Sequence, residues 1–201
     1  MLKLSVAVRA ASPLEKVLNS FRYFIEVMGN CLVQGYATTM KIRDAEATDL
    51  STIVEIYNAS VPGRMATADL EPISVESRRQ WYEEHSPEYR PILVLEMEDK
   101  MIGWLSFQSF YGRPAYHATA ELSIYIRPGY QGQGIGKKLL TEAIQRSPQL
   151  GLKTLMAFIF AHNVPSIQLF NKFGFQQWGY LPRIAQLDEK EQDLAILGLR
   201  L

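Results

Sequence analysis

The chain has 201 residues, 47% hydrophobic and 21% charged, with 21 Lys and Arg against 21 Asp and Glu. A domain of this size buries about 70% of its unfolded surface, which excludes global disorder and points to one domain plus a short extension. Zero net charge excludes a protein that holds nucleic acid by an overall basic surface, and a lone cysteine, Cys31, excludes an intrachain disulfide framework or a zinc site of paired cysteines.

The zero conceals an arrangement. Residues 1–40 carry Lys3, Arg9, Lys16 and Arg22 against Glu15 and Glu26, a net +2, so the remainder sums to −2. Within that remainder, positions 127–153 hold Arg127, Lys137, Lys138, Arg146 and Lys153 against Glu142, a local +4.

Residues 1–39 read as an N-terminal extension, with Met40 opening the domain. Charges interrupt the apolar stretches at Arg9, Arg22 and Glu26, and the longest uncharged run, from Val27 to Met40, contains Asn30, Gln34 and two threonines, so neither a membrane span of about 20 residues nor a secretory signal is expected. Leu14, Val17, Leu18, Phe21, Phe24, Ile25 and Met28 recur at helical spacing and predict an amphipathic helix over 14–28.

From Met40 strands and helices alternate. A short strand over 41–44 is followed by a helix carrying Leu50, Ile53, Val54, Ile56 and Tyr57, capped by Thr48 or Asp49, and a second helix runs from Ser74 to about Glu84. Two apolar runs, 91–97 and 101–107, flank Glu98-Asp99-Lys100 as a hairpin. A strand over 120–127 ends at Pro128-Gly129, a helix spans 135–146, and Gly151 precedes a strand over 154–160. Asn163 starts a further helix with Pro165 in its first turn, Gly174 ends it, and strands over 176–181 and 194–201 complete an α/β chain without internal repeats.

Between the 120–127 strand and the 135–146 helix lies Gln131-Gly132-Gln133-Gly134-Ile135-Gly136-Lys137-Lys138. Glycines at alternate positions let the main chain approach a ligand, and their amides with the helix N-terminus form an anion site. A Walker A loop would need Gly at 131 and a hydroxyl at 138, where the chain has Gln131 and Lys138. The dinucleotide fingerprint would need a third glycine at 137, where Lys137 stands.

The loop resembles instead the Gln/Arg-x-x-Gly-x-Gly/Ala pyrophosphate loop of the GNAT N-acetyltransferases. Two flanking segments agree in order. Glu121-Leu-Ser-Ile-Tyr-Ile126 resembles the strand whose main chain pairs with the pantetheine arm, and Asn163-Val-Pro-Ser166 through Phe175 resembles the last helix to contact the acyl-CoA. Tyr57-Asn58, residues 67–72 and Arg113-Pro-Ala-Tyr116 further resemble the phosphinothricin and methionine sulfoximine acetyltransferase branch.

The resemblance implies an α/β GNAT fold over 40–201, with a mixed, mostly antiparallel central sheet splayed at the acyl-CoA site and flanked by helices. It implies acetyl-CoA as cosubstrate, no metal, and direct acetyl transfer to the primary amine of a small amino-acid-like acceptor. Its cofactor contacts fall on Ile124, Tyr125, Ile126, Gln131, Gly132, Gln133, Gly134, Ile135, Gly136, Lys137, Asn163 and Ser166. It also implies a cytoplasmic homodimer with no nucleic-acid or membrane partner. Other amines (a polyamine, an aminoglycoside or a protein N-terminus) and a noncatalytic acyl-CoA-binding module are the alternative readings.

Acetyl transfer needs a neutral amine nucleophile and a path for its proton. Glu121, Ser123 and Tyr125 share one strand face, so a carboxylate at 121 beside the cofactor channel could accept that proton, and the phosphinothricin branch has its proposed base there. Partial burial would raise its pKa toward the useful range. The family's usual general acid, a tyrosine, is replaced by Phe170, leaving solvent, the product ammonium, Tyr125, His162 or Tyr180 to protonate the thiolate. Arg113 could clamp an acceptor carboxylate, with Tyr57, Phe110 and Tyr116 walling its side chain. His85 and His117 read as surface residues, and Trp81, Trp104 and Trp178 as core or lip residues.

Overall fold

The computed structural model describes residues 39–201. The helix expected over 14–28, Cys31 and nearly all of the 1–39 extension lie outside the described residues. Seven strands form one sheet: β1 (Met40–Asp44), β2 (Ile92–Met97), β3 (Lys100–Ser109), β4 (Thr119–Ile126), β5 (Thr154–Phe160), β6 (Gln176–Leu187) and β7 (Lys190–Arg200), in the order β1-β2-β3-β4-β5-β7-β6. Among the described residues, only β4 and β5 run parallel, and every other pairing is antiparallel. The mixed, mostly antiparallel sheet read from the sequence is the one observed.

Uninterrupted apolar runs mark strands covered on both faces. Leu93, Leu95, Leu105 and Phe107 of β2 and β3 face one side, packing with Ile135, Leu139, Leu140 and Ala143 of α3 (Ile135–Arg146) and Phe170 of α4 (Val164–Lys172). Ile92, Val94 and Trp104 face the other, against Ile53, Ile56 and Tyr57 of α1 (Leu50–Asn58). The sheet is thus sandwiched, with α2 (Val75–Glu83) lying beside α1 and capped by Ser74, whose hydroxyl accepts the Ser77 amide at 3.1 Å.

The parallel contact positions the site. β4 and β5 pair only at Thr119–Thr154, Ala120–Leu155 and Glu121–Met156. Beyond Glu121, β4 stays paired with β3 up to Ile126, and β5 stays paired with β7 up to Phe160, so the two strands part company while each keeps its outer neighbour. The result is a wedge that opens toward the C-terminal ends of both strands.

Local chemistry departs from expectation at several points. Asp49 takes the N-cap position of α1, but its side chain makes no cap bond to the helix: a short turn, Ala47–Asp49, precedes the helix, and the Asp49 carboxylate is turned back to accept the Glu46 amide at 2.7 Å and the Arg43 guanidinium at 2.6 Å. Arg43 also holds Glu96 of β2, and Arg146 of α3 pairs with Asp44 at 2.7 Å, so β1 is tied to both helical layers. The β2–β3 turn consists of Glu98 and Asp99 alone, at φ 52° and 57°, because Lys100 already pairs with Met97.

The last hairpin is longer than the apolar pattern suggests. β6 runs on past Leu181 through Pro182 and Arg183, where the register shifts, and resumes at Ala185. Proline is tolerated there because β6 is an edge strand, and the Arg183 amide is satisfied by the Asp193 carboxylate at 2.7 Å. The charged residues at the tip are exposed and so carry no periodic signal.

Because α3 is anchored by a fully buried Leu139, Leu139→Ala is expected to destabilise the fold by about 2–5 kcal/mol. Urea unfolding followed by circular dichroism checks this, and a midpoint unchanged from wild type would contradict it.

Candidate functional site

The glycine loop connects β4 to α3 in a conformation that side chains rarely adopt. Gly129, Gly132 and Gly134 have φ of 86°, 77° and 81°, and Gly134 is the residue preceding the first helical turn. The first amide of α3 to find a helical acceptor is Lys138, bonded to the Gly134 carbonyl at 3.0 Å. The amides of Ile135, Gly136 and Lys137 therefore point outward with no acceptor among the described residues. Gln131 and Gln133 brace the loop from within: the Gln131 side chain accepts the Gly129 amide at 2.9 Å, and the Gln133 side chain donates to the Gly129 carbonyl at 3.1 Å. Gly136 has a different reason to lack a side chain, since a Cβ there would come within 2.9 Å of Leu169 on α4. Lys137 and Lys138 are exposed beside the loop.

At the root of the wedge, Glu121 sits between Gln108 of β3 and Met156 of β5. Burial alone pushes its carboxyl above the ordinary carboxylate range. No hydrogen bond or ion pair reaches that carboxylate among the described residues, and Gln108, its cross-strand neighbour, gives its side-chain oxygen to the Trp81 indole at 2.9 Å. The alternation read from the sequence is preserved: Ile124 and Ile126 pack on the α3 side, whereas Tyr125 lies on the α1 side, stacked on Trp104 with ring centroids 4.6 Å apart.

The residues expected to wall an acceptor fall into two groups. Phe110 meets Tyr116 edge-on at 5.4 Å and lies over Phe158 of β5 at 6.4 Å, while Arg113 and Tyr116 are exposed on the same loop. Tyr57 belongs elsewhere. It is buried against Tyr125 at 5.0 Å, and its hydroxyl is bonded to Thr67 and Asp69, both at 2.5 Å. Arg78 lies 4.8 Å over both Tyr57 and Trp81; the Trp81 contact follows from i, i+3 spacing within α2, but the one to Tyr57 is invisible in the sequence because α2 and α1 meet only after folding.

Asn163 and Ser166 are brought together as a helix cap. The Asn163 side chain accepts the Ser166 amide at 3.2 Å and donates to the Met65 carbonyl at 3.0 Å. His162 Nε2 faces the Arg64 carbonyl at 2.8 Å and so donates to it, while Nδ1 is buried with no partner among the described residues. Tyr125 donates to the Ala66 carbonyl, and Tyr180 donates to the Asp193 carboxylate. Phe170 is a core residue, 4% exposed and edge-on to Phe175. His117 is exposed as expected, but His85 is not a surface residue: its ring packs on Trp81 at 4.6 Å and Nε2 is buried, because α2 turns its C-terminus onto the sheet. Among the tryptophans, Trp104 is core and Trp178 lies exposed on β6 over Gly198.

A wedge between parallel strands that ends in this glycine loop is matched by known sequences. The profile of the Acetyltransferase (GNAT) family matches residues 50–175. The chain belongs to the GNAT acetyltransferase family. A Bacillus subtilis (strain 168) protein named "Putative phosphinothricin acetyltransferase YwnH" is 50% identical over 163 residues, covering 81% of this chain and 99% of that one. The L-methionine sulfoximine/L-methionine sulfone acetyltransferase of Salmonella typhimurium is 31% identical over 162 residues, covering 81% of this chain and 95% of its own. Among solved structures, a GNAT superfamily phosphinothricin acetyltransferase from Sinorhizobium meliloti in complex with AcCoA is 32% identical with a TM-score of 0.77, over 81% of this chain and 89% of that one. This GNAT chain thus shares the fold of enzymes crystallised with the thioester. Among the described residues, no helix is long and apolar enough to cross a membrane, and no cluster of His, Cys, Asp and Glu could hold a metal ion.

The unpaired Glu121 has a consequence for stability. Its folded pKa is raised above the unfolded one, so the folded state binds the proton more tightly, and stability falls as pH rises from the unfolded pKa through the folded pKa. Glu121→Gln is expected to raise the melting temperature at neutral pH and to leave it nearly unchanged near pH 3. Melting curves of both proteins across this range check the sign, and a variant less stable at neutral pH would contradict it.

Proposed function

We propose that the chain transfers an acetyl group from acetyl-CoA directly to the primary amine of a small amino-acid-like acceptor of the phosphinothricin or methionine sulfoximine type, with Glu121 as general base. The observation that carries this reading is the half-buried, unpaired carboxylate at the root of the β4–β5 wedge. Residues 40–201 form the domain that does this.

The chain's own groups fit such a cosubstrate. The outward amides of Ile135, Gly136 and Lys137, the flanking Lys137 and Lys138 and the helix N-terminus suit a pyrophosphate. Gln131, Gly132, Gln133 and Gly134 shape that cradle, and the main chain over Ile124, Tyr125 and Ile126, with Tyr125 held by β3 and the amides and carbonyls of Ile124 and Ile126 without a strand partner on the β5 side, offers hydrogen bonds to an amide-bearing arm. Asn163 and Ser166 flank the other lip. Acetyl-CoA, when bound, supplies an acyl group activated as a thioester.

Glu121 takes the ammonium proton of the acceptor, directly or through water, and so makes the amine a nucleophile. Burial raises its pKa, which strengthens it as a base. Arg113 pairs with the acceptor carboxylate, and Phe110 and Tyr116 line the side chain. Tyr57, away from this wall, holds Thr67 and Asp69 through its hydroxyl. Tyr125, His162 and Tyr180 each have their proton engaged by a protein oxygen, which favours solvent or the product ammonium as the source of the thiol proton. Two copies of the chain pair through the edge strand β6, where Trp178, Tyr180, Leu181 and Ile184 are exposed.

Glu121→Gln is expected to lower kcat about 10²- to 10⁴-fold with little change in the KM for acetyl-CoA, and to abolish the acidic limb of the kcat/KM profile. Thiol release with phosphinothricin or methionine sulfoximine as acceptor measures this, and a variant as active as wild type would overturn the assignment. Ile184→Lys is expected to shift the protein from dimer to monomer in analytical ultracentrifugation; a monomeric wild type would refute the pairing.

A further inference from the structure

The loop after α1 carries three consecutive carbonyls, two held by the adjacent side chains of His162 and Asn163 and the third by Tyr125. The Arg64 carbonyl accepts from His162 Nε2 at 2.8 Å, that of Met65 from Asn163 Nδ2 at 3.0 Å, and that of Ala66 from the Tyr125 hydroxyl at 3.2 Å. Tyr125 lies near the end of β4, and His162 and Asn163 follow the end of β5. These are the two lips of the wedge at its open end, where the strands share no ladder hydrogen bonds. Residues 64–66 therefore span the mouth from one lip to the other, on the α1 side, opposite the face on which α3 packs.

The spanning segment is itself anchored. Arg64, at φ 52°, pairs with Asp188 at the β6–β7 turn at 2.9 Å and donates to the Leu70 carbonyl at 2.8 Å. Immediately after it, Thr67 and Asp69 are both bonded to the Tyr57 hydroxyl. No hydrogen bond or ring contact joins Tyr125 directly to His162 or Asn163 among the described residues, so the lips are connected through the loop.

We infer that residues 64–66 are a brace that fixes the width of the β4–β5 wedge, with Tyr125 and His162 as positioning residues for the acyl-CoA held in it. The inference rests on the acyl-CoA reading above. Two strands that pair at three positions and then diverge have no ladder to set their separation, whereas an arm bonded along one lip and packed against the other needs that separation held. The brace closes the α1 side of the mouth and leaves the glycine-loop side open. It also bounds the space available to the acyl group, so release of either tie relaxes the preference for the shortest acyl chain.

The test compares full-length wild type with Tyr125→Phe, His162→Phe and the double variant; phenylalanine preserves the ring stacking at both positions and removes only the donor. In the protein without ligand, amides of residues 64–69 are expected to exchange about threefold to tenfold faster in each single variant, the span of one lost hydrogen bond. The dissociation constant for CoA rises by a similar factor, the KM for the acceptor stays within about twofold, and the propionyl-CoA to acetyl-CoA ratio of kcat/KM increases. Tyr125 supplies the β4-lip tie, whereas Asn163 still holds Met65 on the β5 lip when His162 is cut, so Tyr125→Phe has the larger effect; once it has released the β4 lip, His162→Phe adds little, and the double variant weakens CoA binding by less than the product of the single effects. Unchanged exchange in both variants, multiplicative effects in the double variant, or equal losses for acceptor and CoA would overturn the brace. Failure of the wild type to bind CoA would refute the acyl-CoA reading instead, and exchange in the ligand-free protein would still decide for or against the brace.

Discussion

The loss of pairing between β4 and β5 beyond Glu121 is the constraint on which the rest of the structure depends. A parallel pair inside a sheet ordinarily satisfies its inner main-chain groups on both sides. Here each strand keeps only its outer neighbour, β3 for one and β7 for the other, so inner main-chain groups are left facing a gap. Such a gap persists because the surrounding layers hold it. The apolar stripe of α3 anchors the β3–β4 half from one face, α1 covers it from the other, and the long β6–β7 hairpin stiffens the β5 half.

The same geometry sets the electrostatics. A carboxylate placed at the point where the strands separate is shielded by Gln108 and Met156 yet has no partner of its own, so burial acts on it without compensation. The surrounding polar groups are engaged elsewhere: Gln108 with Trp81, Tyr57 with Thr67 and Asp69, Tyr125 with Ala66. Among the described residues, Glu121 is thus an unpaired, half-buried acid with hydrogen-bonded neighbours. Phe170, by contrast, owes its identity to packing against Phe175 in the core rather than to the chemistry of the wedge.

Much of the fold was legible where one physical signal dominated. The α3 boundaries, Ile135–Arg146, and those of β5, Thr154–Phe160, coincide with expectation, because glycines punctuate both segments and their apolar periodicity is clean. The glycine loop was equally legible, since its spacing alone excludes the Walker and dinucleotide patterns. Elements whose character depends on a partner were not. Asp49 reads as a helix cap until Arg43 and the Glu46 amide claim it, His85 reads as exposed until α2 packs down, and the tip of the last hairpin reads as loop because an exposed edge strand needs no apolar alternation. Tyr57, grouped with Phe110 and Tyr116 by motif, proved to stand behind a different wall.

The sequence by itself determined the family, the order of strands and helices, the glycine loop and the single acidic residue on the face of β4, because each rests on local spacing or backbone conformation encoded within a few residues. Only the tertiary structure decided which groups remain free. That Glu121 is unpaired, that the protons of Tyr125, His162 and Tyr180 are already engaged, and that residues 64–66 bridge the two lips of the wedge all depend on contacts between segments far apart in the chain. Hydrogen bonds of that range leave no periodic trace, since they constrain one atom at each end and nothing between.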